Sequence, residues 1–233
     1  MMRMMIEMMM IIIIINAYII INSTIQSILY WHRLLLYIMN TNLYVNVSWY
    51  VIFTLIIIIG RWSESGLFKK FLDELLTKHM SSIIGSYSIH DIERVRIYSH
   101  SGGYYTIGNM AIVGDVDQVY ELCLLDSLYA DFQQFDLFVT KNIQNFGLNR
   151  NNYRFSSIFS LNGGTKENNE NMAQRAILWT NDNNCSDILI FDESDKNNYI
   201  NVIDEYSLIF KYTTLVHDDI PRKLFYDFLI TAL

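Results

Sequence analysis

The chain has 233 residues, 52% of them hydrophobic, with a single proline and a formal charge of −7. That length and apolar content suffice for one sizeable core and exclude a disordered chain. An acidic balance without a basic stripe excludes nucleic acid as the main partner, because nothing would neutralise a run of phosphates.

The N-terminal third is unusual. No charged side chain lies between Glu7 and His32, and none between Leu34 and Gly60. Each stretch reaches the roughly 20 residues that a membrane-spanning helix needs. The first has the look of a signal anchor, with Arg3 ahead of a Met- and Ile-rich centre. The second is interrupted by Asn40, Thr41, Asn42 and Asn46, and its apolar end, Ser48 to Ile59, suits a buried parallel strand. Residues 1–47 therefore read as a hydrophobic segment that would attach the protein to a membrane, with a cytoplasmic location as the alternative. Residues 48–233 read as one folded domain.

Beyond Gly60 strand and helix signals alternate. Ser63 is placed to cap a helix in which Leu67, Phe68, Phe71, Leu72, Leu75 and Leu76 share one face. Val95 to Ser99 reads as a short strand, Tyr104 to Val113 as a helix ending near Gly114, and Val119 to Leu125 as a second strand ending at Asp126. A helix over Asp131 to Asn145 precedes a strand over Phe155 to Leu161, which Asn162-Gly163-Gly164-Thr165 stops. Another helix spans about Asn169 to Thr180. Ile188 to Phe191 is apolar but lies among Asn and Asp, and reads as an excursion. Ser207 to Leu215 is strand-like, and Pro221 opens a last helix, where its missing N–H costs least. The alternation predicts an α/β fold, a mainly parallel sheet with helices on both faces.

Chemistry concentrates after the first of these strands, in Ser99-His100-Ser101-Gly102-Gly103. A hydrolytic serine must be raised on a turn so tight that only small residues fit two before and two after it. Ser99 and Gly103 hold those positions, with Ser99 departing from the usual glycine. The Gly102 N–H would then face a developing oxyanion. Asp126 ends the next strand, and His217 follows the last one, in His217-Asp218-Asp219-Ile220-Pro221. In a parallel sheet all three stand at carboxyl strand ends, where sites of this architecture form. Their chemistry assigns Ser101 as nucleophile, His217 as base and Asp126 as the acid that orients the imidazole. Each also has a plainer reading. Ser101 belongs to a close-packed turn, Asp126 caps a following helix, and His217 sits in an exposed, charged loop.

These fragments together resemble the α/β-hydrolase superfamily over about Gly60 to Leu233. The likeness is to bacterial members with a His-Ser-Gly-Gly elbow, a Leu-Leu-Asp-x-Leu-Tyr strand end and a late His-x-x-Ile-Pro, here His100 to Gly103, Leu124 to Tyr129 and His217 to Pro221. The resemblance implies a serine hydrolase acting on a small-molecule ester or amide. Two departures point to a shortened or degenerate version. No carboxylate follows the strand ending at Asn162, and no His-Gly loop for a second oxyanion donor is found, Ile25 to Asn46 having no glycine. A catalytically inactive, hydrolase-like binding domain is the competing reading.

No cofactor or metal is expected. The five histidines are scattered, and Asp192, Glu193 and Asp195 read as a solvated loop. Cys123 and Cys185 lie far apart without C-x-x-C spacing and read as buried free thiols, with one disulfide between them as the alternative.

Overall fold

A computed structural model describes residues 13–16, 53–54, 64–74, 76–77, 88–92, 94–130, 132–147, 153–160, 164–192, 202, 205–221 and 223–224. The fold is α/β. Strands β1 (Ile13–Asn16), β2 (Phe53–Thr54), β3 (Val95–His100), β4 (Val119–Leu125), β5 (Arg154–Ser160), β6 (Leu189–Asp192) and β7 (Leu208–Thr213) form one sheet in the order β2-β1-β3-β4-β5-β7-β6. Every pairing is parallel. Helices α1 (Leu67–Glu74), α2 (Tyr104–Val113), α3 (Phe132–Asn142) and α4 (Lys166–Asp182) connect strands. Among the described residues no helix is long and apolar enough to cross a membrane. The expectation of a membrane segment over residues 1–47 otherwise lies outside the described residues, apart from β1, which pairs with β3 through Ile14, Ile15 and Asn16.

Handedness explains which face each connection covers. Right-handed crossovers that step in one direction along a parallel sheet all land on the same face. From β2 to β3, and onward through β4 and β5 to β6, the chain steps one way. Phe68 and Leu72 of α1, Ile107 and Met110 of α2, Phe135 and Val139 of α3, and Met172 and Ala176 of α4 accordingly share one core with Ile97, Leu122 and Phe155. The chain then steps back from β6 to β7, and Val202 and Tyr206 of that connection pack on the opposite face. Ile220 and Leu224 join them there against Tyr98, Cys123, Leu125, Ile158 and Ile209. With both faces covered, every residue of β3, β4 and β5 is buried.

Several boundaries differ from the sequence reading. Ile188 to Phe191 is not an excursion: Leu189–Asp192 is the edge strand β6, paired with β7. Its Asn- and Asp-rich flanks carry turn signals, whereas its strand character comes from a neighbour that lies later in the chain. Asp192 likewise belongs to no solvated cluster, because its carboxylate pairs with the buried Lys211 ammonium beside it on β7. Glu193 and Asp195 lie outside the described residues, as does Ser63; Gly66, at φ +75°, precedes α1. Helix α4 is longer than expected, beginning at Lys166 and ending at Asp182. Both cysteines are free, Cys123 buried and Cys185 half-buried.

A charge ladder fixes the register of the central strands near their amino ends. Arg96, Glu121 and Arg154 are direct cross-strand partners on β3, β4 and β5. All three are buried, with Glu121 3.0 Å from Arg96 and 3.9 Å from Arg154. The Tyr98 hydroxyl donates to Glu121 as well, at 3.0 Å. Replacing Glu121 by Ala removes the buried carboxylate that faces both guanidinium groups, of which Arg96 keeps its bond to the Tyr120 hydroxyl; breaking a buried pair costs about 3–5 kcal/mol. Urea denaturation of Glu121→Ala is expected to show a fall of that size, and a change below about 1 kcal/mol would contradict the ladder's role.

Candidate active site

Ser101 sits where β3 ends and a short 3-10 turn, Ser101–Gly103, leads into α2. Its φ is +55°, the left-handed region that non-glycine residues rarely enter and that costs of order 1–3 kcal/mol. The strain is held by a chain of hydroxyls. Ser99 Oγ donates to Ser127 Oγ at 2.8 Å, and Ser127 Oγ donates to the Ser101 carbonyl at 2.6 Å. Ser99 and Ser127 are both buried, so these bonds also satisfy hydroxyls that water cannot reach. The departure from glycine at Ser99 is thus compensated within the turn.

Asp126 also has positive φ, +48°, and its carboxyl group is fully buried. It does not cap the helix that follows. Its Oδ2 accepts from Ser160 Oγ at 2.7 Å and lies 2.9 Å from His217 Nδ1. Its Oδ1 accepts from the Ser160 N–H at 3.3 Å and from the Thr165 hydroxyl. Thr165 stands at the N-cap of α4, yet its hydroxyl makes no capping bond and is spent on Asp126 instead. With Asp126 as acceptor, His217 Nδ1 carries the proton, leaving Nε2 with a free lone pair. The His217 side chain is 29% exposed, so a ligand can reach it.

His100, next to Ser101, is buried and points to the loop of His217. Its Nε2 lies 3.0 Å from the His217 carbonyl, so Nε2 carries the proton and donates. The two imidazole rings lie 4.3 Å apart, tilted by 33°. On another side Tyr129 meets His217 edge-on at 6.4 Å. Among the described residues no hydrogen bond joins Ser101 to His217. The three residues singled out from the sequence are therefore gathered at neighbouring strand ends, with Asp126 and His217 bonded directly. Gly102 lies in the turn itself, half-buried. Ser127, Ser160 and Thr165 were not singled out, although a hydroxyl at the end of β5 is the signal that could have revealed them.

The fold also joins histidines that the sequence scatters. His100, His217 and Asp218 bring ligating atoms within 4.8 Å of one another. Asp126 already holds His217 Nδ1, and the loop carbonyl holds His100 Nε2. A metal ion here would have to take His217 Nε2, the atom a base needs. Comparison with protein-family models, curated proteins and solved structures finds no match, so the geometry stands as its own evidence.

Burial above all, then the charge of His217, holds His100 below its ordinary value of 6.5, against the bond to the His217 carbonyl and the charges of Asp126 and Asp218. Below pH about 6.5 the unfolded chain therefore binds a proton at His100 that the folded chain refuses. The stability associated with neutral His100 is complete above that pH and is lost as pH falls toward the lower, folded value. Urea midpoints of wild type and His100→Asn are expected to converge between about pH 8 and about pH 5. A gap independent of pH would contradict this assignment.

Proposed function

We propose that this chain is a serine hydrolase of α/β-hydrolase type that cleaves a small-molecule ester or amide by acyl transfer. The observation that carries the proposal is the 2.9 Å contact between buried Asp126 and His217, beside a serine with φ +55° at the end of the adjoining strand. Two residues in costly backbone conformations at the carboxyl ends of neighbouring central strands fit a site in which strain serves function.

In this mechanism Ser101 Oγ attacks the carbonyl carbon while its proton passes to His217 Nε2. The carbonyl π pair moves onto oxygen, facing the Gly102 N–H. Collapse of the tetrahedral species expels the alcohol or amine, which leaves with the proton from His217. Water then attacks the acyl-serine by the same route, giving its proton to His217 and releasing the acid. Asp126 stabilises the imidazolium through Nδ1 and keeps the ring in one tautomer. His100 contributes a bond to the loop backbone and a packing surface for the ring, and its lowered proton affinity keeps a second positive charge out of the site.

A non-catalytic binding domain is the second reading, favoured by the absence of a bond between Ser101 and His217. Catalytic hydrogen bonds often tighten only when substrate binds, so the resting geometry is compatible with either. A fluorophosphonate probe separates them. Labelling of wild type is expected, with loss of labelling in Ser101→Ala and His217→Ala. Asp126→Asn is expected to label on the order of 10³–10⁴-fold more slowly, because it permits the wrong tautomer. Folded wild type that takes up no probe would move the assignment to the binding domain. Membrane association through residues 1–47 is a separate proposal, resting on their long uncharged stretch, with Ile13–Asn16 outside the membrane because they pair in the sheet as β1. Retention in the membrane pellet after carbonate extraction is its expected result, and release into the supernatant would overturn it.

A further inference from the structure

We infer that His100, His217 and Asp218 form a binding site for a divalent transition-metal ion of the zinc type. Binding rests on geometry alone, whereas its consequence, inhibition, rests on the hydrolase reading.

The fold brings one ligating atom from each of the three residues within 4.8 Å of the other two. Donors at about 2.0–2.2 Å from one tetrahedral zinc ion stand roughly 3.4 Å apart. The set therefore needs to close by about an ångström, and Asp218 has the freedom to supply that movement. It is exposed and, among the described residues, in no ion pair with Lys or Arg, whereas neighbouring Asp219 is held by Lys223 at 3.1 Å. His217 is partly exposed, so an incoming ion meets His217 and Asp218 first and the buried His100 last.

Both imidazoles are already prepared as ligands. Histidines that bind metals donate their second ring N–H to a carboxylate or a backbone carbonyl, which fixes the tautomer and raises the basicity of the ligating nitrogen. Each arrangement occurs here. His217 Nδ1–H donates to Asp126 Oδ2 at 2.9 Å, and His100 Nε2–H donates to the His217 carbonyl at 3.0 Å. The nitrogens left with lone pairs are His217 Nε2 and His100 Nδ1. His100 Nδ1 is buried and, among the described residues, has no hydrogen-bond partner. A bare buried acceptor is unfavourable, and coordination would relieve it. Acyl transfer uses only the His217 ring, so the reaction gives no reason for the His100 lone pair to stand bare. Two imidazole nitrogens and one carboxylate oxygen suit zinc or cobalt(II), with a further position for water. They suit the oxygen-seeking calcium and magnesium ions poorly.

The ion would take the lone pair of His217 Nε2, the same pair that receives the Ser101 proton in acyl transfer. A loaded site therefore has no base, and Ser101 is not activated. No covalent bond is made or broken, so a chelator that removes the ion restores the base.

Titration of the metal-free full chain with cobalt(II) tests the site directly, because visible absorption follows the ion whether or not the protein hydrolyses anything. One equivalent is expected to bind, with the intense bands of a tetrahedral shell, and to be displaced by zinc. Asp218→Asn is expected to weaken binding at least about 10-fold, while Asp219→Asn beside it leaves the affinity unchanged. X-ray absorption of the zinc-loaded wild type is expected to show scattering from imidazole rings. No uptake of cobalt, equal affinity in wild type and Asp218→Asn, or a shell without imidazole would overturn the inference and leave the hydrolase reading untouched. With an ester that wild type hydrolyses, zinc is expected to abolish turnover and a chelator to restore it. Asp218→Asn is expected to need at least about 10-fold more zinc for the same fractional loss. Turnover undiminished in zinc-loaded protein would overturn the inhibitory role. Cobalt uptake by a wild type that, metal-free, takes up no fluorophosphonate probe would uphold the site and remove the hydrolase reading.

Discussion

A buried carboxylate is expensive unless donors surround it, and Asp126 organises this end of the sheet around that requirement. Its two oxygens draw in the Ser160 N–H and hydroxyl from the end of β5, Thr165 from the start of α4 and His217 from the loop after β7. The β5–α4 junction and the loop after β7, far apart in the chain, thus meet at one side chain. Each donor loses its partner if Asp126 is removed, so the cost of losing the residue extends beyond a single bond.

The serine turn depends on the same neighbourhood. Ser127, directly after Asp126, donates to the Ser101 carbonyl and receives from Ser99. The end of β4 therefore holds both Asp126 and the bond that secures the strained turn of β3. Asp126 and Ser101 share positive φ, and each is held by hydrogen bonds from adjoining strands rather than by local preference. Strain of this kind persists only where the surroundings over-determine it.

Much of this was legible from residue order. Strands β3 and β4, helix α2 and the positions of Ser101, Asp126 and His217 follow from apolar runs that end in small or polar residues. Less legible were features set by partners distant in sequence. Edge strand β6 is short and flanked by turn-forming residues, and only pairing with β7 defines it. Ser160 and Thr165 look like the close of a strand and a glycine-rich turn, and nothing local says that their hydroxyls face Asp126. His100 and His217, 117 residues apart, meet only because β3 and β7 end on the same side of one sheet.

The central claim is that Ser101, His217 and Asp126 act as one unit, and a mutant cycle on ester hydrolysis tests it most directly. Groups acting as a unit are non-additive: losing the nucleophile or the base alone costs nearly as much as losing the whole set. Ser101→Ala and His217→Ala should each reduce kcat to about the level of the triple Ala variant, with Asp126→Ala falling somewhat short of it. Losses that multiply across the three sites, or hydrolysis that survives Ser101→Ala undiminished, would contradict the account.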